Sequence, residues 1–124
     1  MAKTILVAED REASRELVRT VLTAAGYAVL EARDGDEAIE RALETQADLV
    51  ILDLYMPHTD GFSVLQRLRA EERYKGTPII ALTASAMAGD AERAIESGFT
   101  AYISKPVKMA YLCTEIGKLL GETE

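Results

Sequence analysis

Residues 47–61 read Ala-Asp-Leu-Val-Ile-Leu-Asp-Leu-Tyr-Met-Pro-His-Thr-Asp-Gly. Within this stretch, Leu49–Leu52 is a short, continuous apolar run, which is typical of a strand buried on both faces of a parallel sheet. The run ends at Asp53, and the loop-forming residues Pro57 and Gly61 then interrupt regular structure. A carboxylate at the end of a buried strand is partly desolvated and needs a partner. The stretch therefore predicts either a functional acid at position 53 or an acid that merely opens a loop.

The composition is that of an ordinary globular domain. The chain has 124 residues, of which 48% are apolar and 28% are charged, and both fractions are near the average for folded proteins. The formal net charge of -7 leaves no basic surplus for binding nucleic acid or an anionic membrane. The single cysteine, Cys113, fits a reducing compartment, and no apolar run is long enough for a signal peptide or a membrane span. We therefore expect a single cytoplasmic domain over residues 1–124 with no nucleic-acid or membrane partner.

Strands and helices are predicted to alternate along the chain. The apolar runs predict strands at Thr4–Ala8, at Ala28–Ala32 towards a sheet edge, up to Asp53, at Ile79–Leu82 and around Tyr102 and Ile103. Helices are predicted at about Glu12–Ala25, from a capping box formed by Asp34 and Glu37, from Asp60 to about Glu72, at about Asp90–Ser97 and from Met109 to about Leu120. The fourth helix has only one large apolar residue, Ile95, so it should be the most loosely packed. This alternation indicates an α/β fold with a doubly wound, five-stranded parallel sheet between five helices.

Polar side chains follow four of the predicted strands. They are Glu9 and Asp10 after the first strand, Asp53 after the third, Thr83 and Ser85 after the fourth, and Lys105 after the fifth. Right-handed crossovers place the carboxyl ends of parallel strands at one edge of the sheet, which is where ligands of such sheets bind. The sequence therefore predicts that these residues converge on one site.

The acids of this site suit a hard divalent cation. Two carboxylates about 4 Å apart repel by about 1 kcal/mol in water and about 4 kcal/mol near a protein surface. An all-oxygen site with few protein ligands favours Mg²⁺, with Mn²⁺ as the alternative. The predicted ligands are Asp10, Asp53 and the backbone carbonyl of Tyr55, with Glu9 acting through water. The acids Glu9 and Asp10 would equally suit the N-terminus of the first helix, where negative charge is favourable.

A metal beside an acid, a hydroxyl and an ammonium group is a set of groups typical of phosphoryl transfer. Catalysis of that reaction depends mainly on positioning and charge neutralisation. Asp53 would be the nucleophile that forms an acyl phosphate. Thr83 could donate to one phosphoryl oxygen and Lys105 could pair with another. Each residue alone also fits a purely structural role, but their joint occurrence favours function.

These motifs resemble the response-regulator receiver domain of the CheY-like family. The matching segments are Leu-Val-Ala-Glu-Asp at 6–10, Leu-Val-Ile-Leu-Asp-Leu-Tyr-Met-Pro at 49–57 with Asp-Gly at 60–61, Ala-Leu-Thr-Ala at 81–84, and Tyr-Ile-Ser-Lys-Pro at 102–106. Their order and spacing cover essentially the whole chain. The segment 84–90 also resembles, more weakly, single-domain regulators of the DivK type. The family resemblance implies the flavodoxin-like strand order 2-1-3-4-5.

The resemblance further implies a signalling phosphoacceptor and not an enzyme. A histidine kinase or histidine phosphotransfer protein would phosphorylate Asp53 in a Mg²⁺-dependent reaction. Thr83 would then move inward and Tyr102 would rotate, which would remodel the face of the fourth helix, fifth strand and fifth helix where a downstream protein binds. The chain is expected to be a monomer or a weak homodimer. The family also implies a cis peptide bond between Lys105 and Pro106.

Three other functions fit the sequence less well. A flavin- or nucleotide-binding domain needs a donor-rich turn after the first strand, where this chain has the acidic segment 9–12. A phosphatase with an aspartyl intermediate usually has a further acid two residues after the nucleophile, where this chain has Tyr55. A degenerate receiver that only binds proteins would lack an acid, Thr83 or Lys105, and it remains the alternative function.

Three further positions carry predictions of their own. Tyr55 is large for a residue beside a phosphoryl group, and we hypothesise that it shields the acyl phosphate from water. His58, the only histidine, is expected to be an exposed loop residue and not a metal ligand or phosphorelay group. Cys113 is expected to be a small buried hydrophobic residue and not a redox sensor.

Overall fold

The computed structural model describes residues 2–83 and 90–121. The strands are β1 (Thr4–Ala8), β2 (Ala28–Ala32), β3 (Leu49–Asp53), β4 (Ile79–Thr83) and β5 (Ala101–Ser104). The helices are α1 (Glu12–Ala24), α2 (Gly35–Glu44), α3 (Gly61–Arg69), α4 (Asp90–Ser97) and α5 (Met109–Leu119), and a 3₁₀ turn (Glu72–Tyr74) precedes β4. The predicted site residue Ser85 lies outside the described residues. Within the two described ranges, no helix combines the length and the apolarity that crossing a membrane requires.

The five strands form one parallel sheet in the order β2-β1-β3-β4-β5. The predicted fold class, the predicted strand order and the edge position of β2 are therefore confirmed. Ala8 pairs in register with Leu52, and Asp53 pairs with Leu82. The carboxyl ends of β1, β3 and β4 consequently lie side by side, and Asp53 stands at the centre of that edge.

The sheet separates two apolar layers because side chains alternate along each strand. One layer packs against α1 and α5 and contains Ile5, Val7, Val18, Leu22, Leu49, Ile51, Ile80, Leu82, Ile103, Leu112 and Ile116. The other packs against α2, α3 and α4 and includes Leu6, Val50, Leu52, Ala81, Ala38, Leu65 and Ala94. Cys113 is half-buried beside the first layer. In α4, Ala94 is buried while Ile95 is 50% exposed, so this helix contributes little large apolar surface to the core.

Two details of the helices differ from the sequence prediction. Helix α3 ends at Arg69 and not near Glu72, because the chain turns there to bury Tyr74. The Tyr74 hydroxyl donates to the Ala42 carbonyl over 2.6 Å and accepts the Ala47 N–H at 3.1 Å. This buried hydroxyl joins the end of α2 to the start of β3.

The second difference lies in the predicted capping box of α2. Asp34 Oδ1 accepts the Glu37 N–H at 2.8 Å, as predicted. The return bond differs, because Glu37 Oε1 accepts the N–H of Arg33 at 2.8 Å and not that of Asp34. This bond to Arg33 is the main reason why the pKa of Glu37 lies below its ordinary value. The cap of α3 forms as predicted, with Asp60 Oδ1 accepting the Ser63 N–H at 2.9 Å.

Candidate functional site

Strand alternation brings three predicted site residues to the same side of the sheet. Residues two apart on a strand have side chains on the same face. In β1, β3 and β5, the next residues on the face that packs against α1 and α5 are Glu9, Asp53 and Lys105. Glu9 follows the last residue of β1, and Lys105 follows the last residue of β5. Since the strands are parallel, these three side chains leave the sheet at one edge and on one face.

The Lys105 ammonium joins the two buried acids. Its Nζ atom donates to Glu9 Oε1 and, over 3.2 Å, to Asp53 Oδ2. Glu9 is 2% exposed and Asp53 is 6% exposed, while the Lys105 side chain is 17% exposed. Charges this deeply buried are tolerated only when they are paired. Lys105 therefore holds both carboxylates together at the carboxyl edge of the sheet.

Three acids meet at this edge of the sheet. One carboxylate oxygen from each of Glu9, Asp10 and Asp53 lies within 4.8 Å of the others, and Asp10 is exposed while the other two are buried. The possible ligand atoms are all oxygens, and the cluster is open to water on the side of Asp10. A hard cation that keeps several water ligands fits this set of donors, as Mg²⁺ does. The predicted acidic constellation is present among the described residues.

The pKa values reflect this crowding. Burial raises the pKa of Glu9. A hydrogen bond with Asp53 and the negative charge of Asp53 raise it further, and the Lys105 ammonium offsets these effects only in part. Burial by itself would lower the pKa of Lys105, but its hydrogen bonds and charge interactions with Glu9 and Asp53 outweigh that effect and raise it. Lys105 is therefore a permanent cation at physiological pH.

The loop after Asp53 is held close to the start of α3. Asp53 Oδ1 accepts the Tyr55 N–H at 3.0 Å, and the Leu54 carbonyl accepts the Gly61 N–H at 2.9 Å. A Cβ atom at Gly61 would lie 2.6 Å from the carbonyl oxygen of Asp53, so only glycine permits this approach. His58, at the turn of the loop, is exposed as predicted and has a positive φ of 70°.

The Tyr55 side chain links this loop to α4. Tyr55 is 49% exposed, and its hydroxyl donates to Asp90 Oδ2 over 3.3 Å. Partial burial and the Asp90 carboxylate raise the pKa values of both Tyr55 and Tyr102. Asp90 was not identified as a site residue from the sequence, because the contact joins positions far apart along the chain.

Thr83 and Tyr102 belong to the opposite face of the sheet. Thr83 ends β4 and is 1% exposed, and its carbonyl accepts the Lys105 N–H at 2.7 Å. Tyr102 is half-buried against the layer formed by α2, α3 and α4. Alternation from Ala81 places Thr83 on that same side. The bond between Lys105 and Pro106 is cis, as the resemblance implied.

Arg15 is a second residue that the sequence prediction missed. It is 9% exposed, and its Nη1 atom donates to the Glu9 carbonyl at 2.9 Å. The apolar residue Leu17 on the same helix is 52% exposed. The signal for Arg15 was its spacing, since Arg15, Val18 and Leu22 lie on one helical stripe and are all buried.

Comparisons with known proteins agree with this geometry. The family model for the response regulator receiver domain matches residues 5–117. The polar-differentiation response regulator DivK of Brucella ovis is 37% identical over 122 residues, which cover 98% of this chain and 99% of DivK.

Two solved structures show the same likeness. The chemotaxis protein CheY4 of Vibrio cholerae superposes with a TM-score of 0.90 at 29% identity, over 96% of this chain and 99% of its own. The second is the receiver domain of a sensor histidine kinase from Pseudomonas aeruginosa, solved with a magnesium ion in its active site cleft. It has a TM-score of 0.90 at 33% identity, over 98% of this chain and 99% of its own. This chain, similar to DivK along nearly its whole length, belongs to the response regulator receiver domain family of two-component systems.

Proposed function

We propose that this chain accepts a phosphoryl group on Asp53 from a histidine kinase or a histidine phosphotransfer protein. The observation that carries the proposal is the Asp53 carboxylate, buried at the end of β3 with Lys105 and two further acids around it. In the transfer, an Asp53 oxygen forms a bond to phosphorus, and the bond from phosphorus to the donor's histidine nitrogen breaks. The electron pair of that bond stays on the nitrogen.

Asp10 and Asp53 would hold Mg²⁺, or Mn²⁺ in its place, together with the backbone carbonyl of Tyr55, and Glu9 would contribute through water. When bound, the cation neutralises charge on the phosphoryl oxygens and on the acids. The magnesium ion in the related receiver domain from Pseudomonas aeruginosa supports this assignment.

The remaining residues position the phosphoryl group and respond to it. Lys105 stays protonated and would donate to one phosphoryl oxygen, and the Thr83 hydroxyl would donate to another. Movement of Thr83 towards the phosphoryl group would let Tyr102 rotate, because both side chains belong to one face of the sheet. The surface of α4, β5 and α5 would change with them and control the binding of a downstream protein.

We further propose that residues 1–124 act as one receiver domain, as a monomer or weak homodimer. The chain would mediate only its own phosphorylation and dephosphorylation and would not turn over an external substrate. The alternative is a receiver that binds partners without being phosphorylated. The presence of Asp53, Lys105 and the acids in one cluster favours the phosphoacceptor.

The test is intact mass spectrometry after incubation with a small phosphodonor, with and without Mg²⁺. The wild type should gain one phosphoryl group only with Mg²⁺, and Asp53→Asn should gain none. Asp36→Asn is the matched control, because it removes an exposed carboxylate of α2 and should leave phosphorylation intact. If the wild type gains no mass and also fails to bind beryllofluoride, the chain functions by binding alone and the proposal is wrong.

A further inference from the structure

We propose that Arg15 is a positioning residue for the metal site, because its guanidinium holds the peptide that joins Glu9 to Asp10. The inference rests on the proposed function, since it assigns Arg15 to the Mg²⁺ site of that function. Arg15 contacts the backbone of one acid and neither carboxylate that would bind the cation, so its effect would be exerted through the orientation of that backbone.

The burial of Arg15 requires an explanation. It occupies the inner stripe of α1 and is 9% exposed, whereas the apolar residue Leu17 on the same helix is 52% exposed. Removing a guanidinium from water is costly unless its donors are paired. The hydrogen-bond partners of Arg15 therefore indicate the function of its buried position.

Its first partner is the turn that carries the acids. Arg15 Nη1 donates to the Glu9 carbonyl over 2.9 Å in a buried hydrogen bond. The Glu9 N–H donates to the Ala32 carbonyl at 3.0 Å, at the end of β2. Both backbone groups of Glu9 are thus held, one by the sheet and one by α1, at the point where the chain leaves β1.

Its second partner fixes the guanidinium itself. Arg15 Nε donates to Glu31 Oε1 at 3.3 Å, and Glu31 Oε2 forms an ion pair with Arg19 Nε, also at 3.3 Å. A planar guanidinium held at two of its donors has a defined orientation. Arg19 shares the same acid, but its side chain is 42% exposed, and among the described contacts it does not reach Glu9. Arg19 is therefore a natural control for Arg15.

The orientation of this peptide affects the direction of two acidic side chains. Glu9 and Asp10 are consecutive, so a rotation of the peptide between them redirects both carboxylates at once. Mg²⁺ tolerates little departure from octahedral geometry, at distances of about 2.0–2.1 Å. Loss of the groups that orient metal ligands typically weakens metal binding by about 10-fold to 100-fold. Arg15 should therefore determine the affinity for Mg²⁺ while Asp10 and Asp53 provide the ligands.

The test is calorimetric titration of Mg²⁺ at constant ionic strength, on the full chain, at a temperature where circular dichroism shows every variant folded. Arg15→Gln should raise the Kd for Mg²⁺ by at least about tenfold. Arg15→Lys, which keeps a single charged donor, should lie between Arg15→Gln and the wild type. Arg19→Gln should bind Mg²⁺ as the wild type does.

Equal affinities in Arg15→Gln and Arg19→Gln would overturn the inference and leave the proposed function standing. If Arg15→Gln does not fold, Glu31→Gln replaces it, because Glu31 is partly exposed and orients the guanidinium. Glu31→Gln should then weaken Mg²⁺ binding more than Arg19→Gln does, and wild-type affinity in Glu31→Gln would overturn the inference. A wild type that binds no Mg²⁺ would overturn both the proposed metal site and the role of Arg15.

Discussion

Tyr55 shows how one residue can connect the loop that follows Asp53 to a neighbouring helix. Its N–H donates to Asp53 Oδ1 at 3.0 Å, and its hydroxyl donates to Asp90 Oδ2 at 3.3 Å. The backbone hydrogen bond contacts the Asp53 carboxylate, and the side-chain hydrogen bond contacts the first residue of α4. The ring thereby lies between the loop that follows Asp53 and the start of α4.

We predict that Tyr55→Ala shortens the lifetime of the phosphorylated state. Without the ring, water would reach the acyl phosphate more easily, and a barrier lowered by about 0.7–1.4 kcal/mol would speed hydrolysis by roughly threefold to tenfold. Tyr55→Phe keeps the ring and loses the hydroxyl, so its lifetime should lie closer to that of the wild type. The measurement is the decay of phosphorylated protein by mass after the donor is removed.

The matched control is Tyr111→Ala, because Tyr111 is a tyrosine of α5 with similar exposure, 52% against 49% for Tyr55. Its lifetime should equal that of the wild type. An unchanged lifetime in Tyr55→Ala would show that the ring does not protect the phosphoryl group.

At the scale of elements, the start of α3 is packed directly against the end of β3. The Gly61 N–H donates to the Leu54 carbonyl at 2.9 Å. A Cβ atom at Gly61 would approach the Asp53 carbonyl oxygen to 2.6 Å and the Leu54 Cα atom to 2.9 Å. Both of these neighbours are backbone atoms, which cannot move aside as a flexible side chain can.

We predict that Gly61→Ala lowers the free energy of unfolding by about 1–3 kcal/mol, the usual cost of overpacking. Gly76→Ala is the control, because a Cβ atom there would meet nothing within 4 Å, and its stability should stay within about 0.5 kcal/mol of the wild type. Urea unfolding measures both values. Equal stability of the two variants would mean that the junction between β3 and α3 relaxes freely.

The elements also show what the sequence could predict. Continuous apolar runs and helical periodicity depend on neighbours along the chain, so every strand and helix was predicted at nearly its observed position. The end of α3 was predicted too late because burial of Tyr74 against Ala42 and Ala47 depends on how separate elements pack. The exposure of Leu17 has a similar cause, since its burial depends on what covers α1.

The site followed the same rule. Glu9, Asp10, Asp53 and Lys105 could be predicted because parallel strands bring their carboxyl ends to one edge. The contacts of Arg15 with Glu9 and of Asp90 with Tyr55 could not be predicted, because they depend on the packing of helices. Strand ends converge by topology alone, whereas the orientation of a helix above them is a tertiary property.

At the scale of the whole molecule, negative charge dominates. The formal net charge is -7, and three acids stand together at the carboxyl edge of the sheet. Any salt should screen the general repulsion between these charges. A cation that binds the acidic cluster should stabilise the fold beyond this screening, because it binds the folded chain and not the unfolded one.

We predict that MgCl₂ stabilises the wild type more than NaCl of equal ionic strength. At a concentration of 100 times its Kd, Mg²⁺ should add about 2.7 kcal/mol to the free energy of unfolding. Asp10→Asn should respond to the two salts alike, since it lacks one of the proposed ligands. Thermal unfolding followed by circular dichroism measures the difference, and identical curves for the wild type in both salts would contradict the metal site.

The ion pairs of Glu31 have a consequence for how copies of the chain meet in solution. Strand β2 is an edge of the sheet, and an open edge can be extended by a strand from another molecule, which leads to aggregation. Glu31 lies on this strand and draws Arg15 and Arg19 towards it. An approaching strand would have to strip water from Glu31 and Arg19, whose side chains are 37% and 42% exposed. The residues that orient the acids of the site thus also discourage edge-to-edge aggregation at β2.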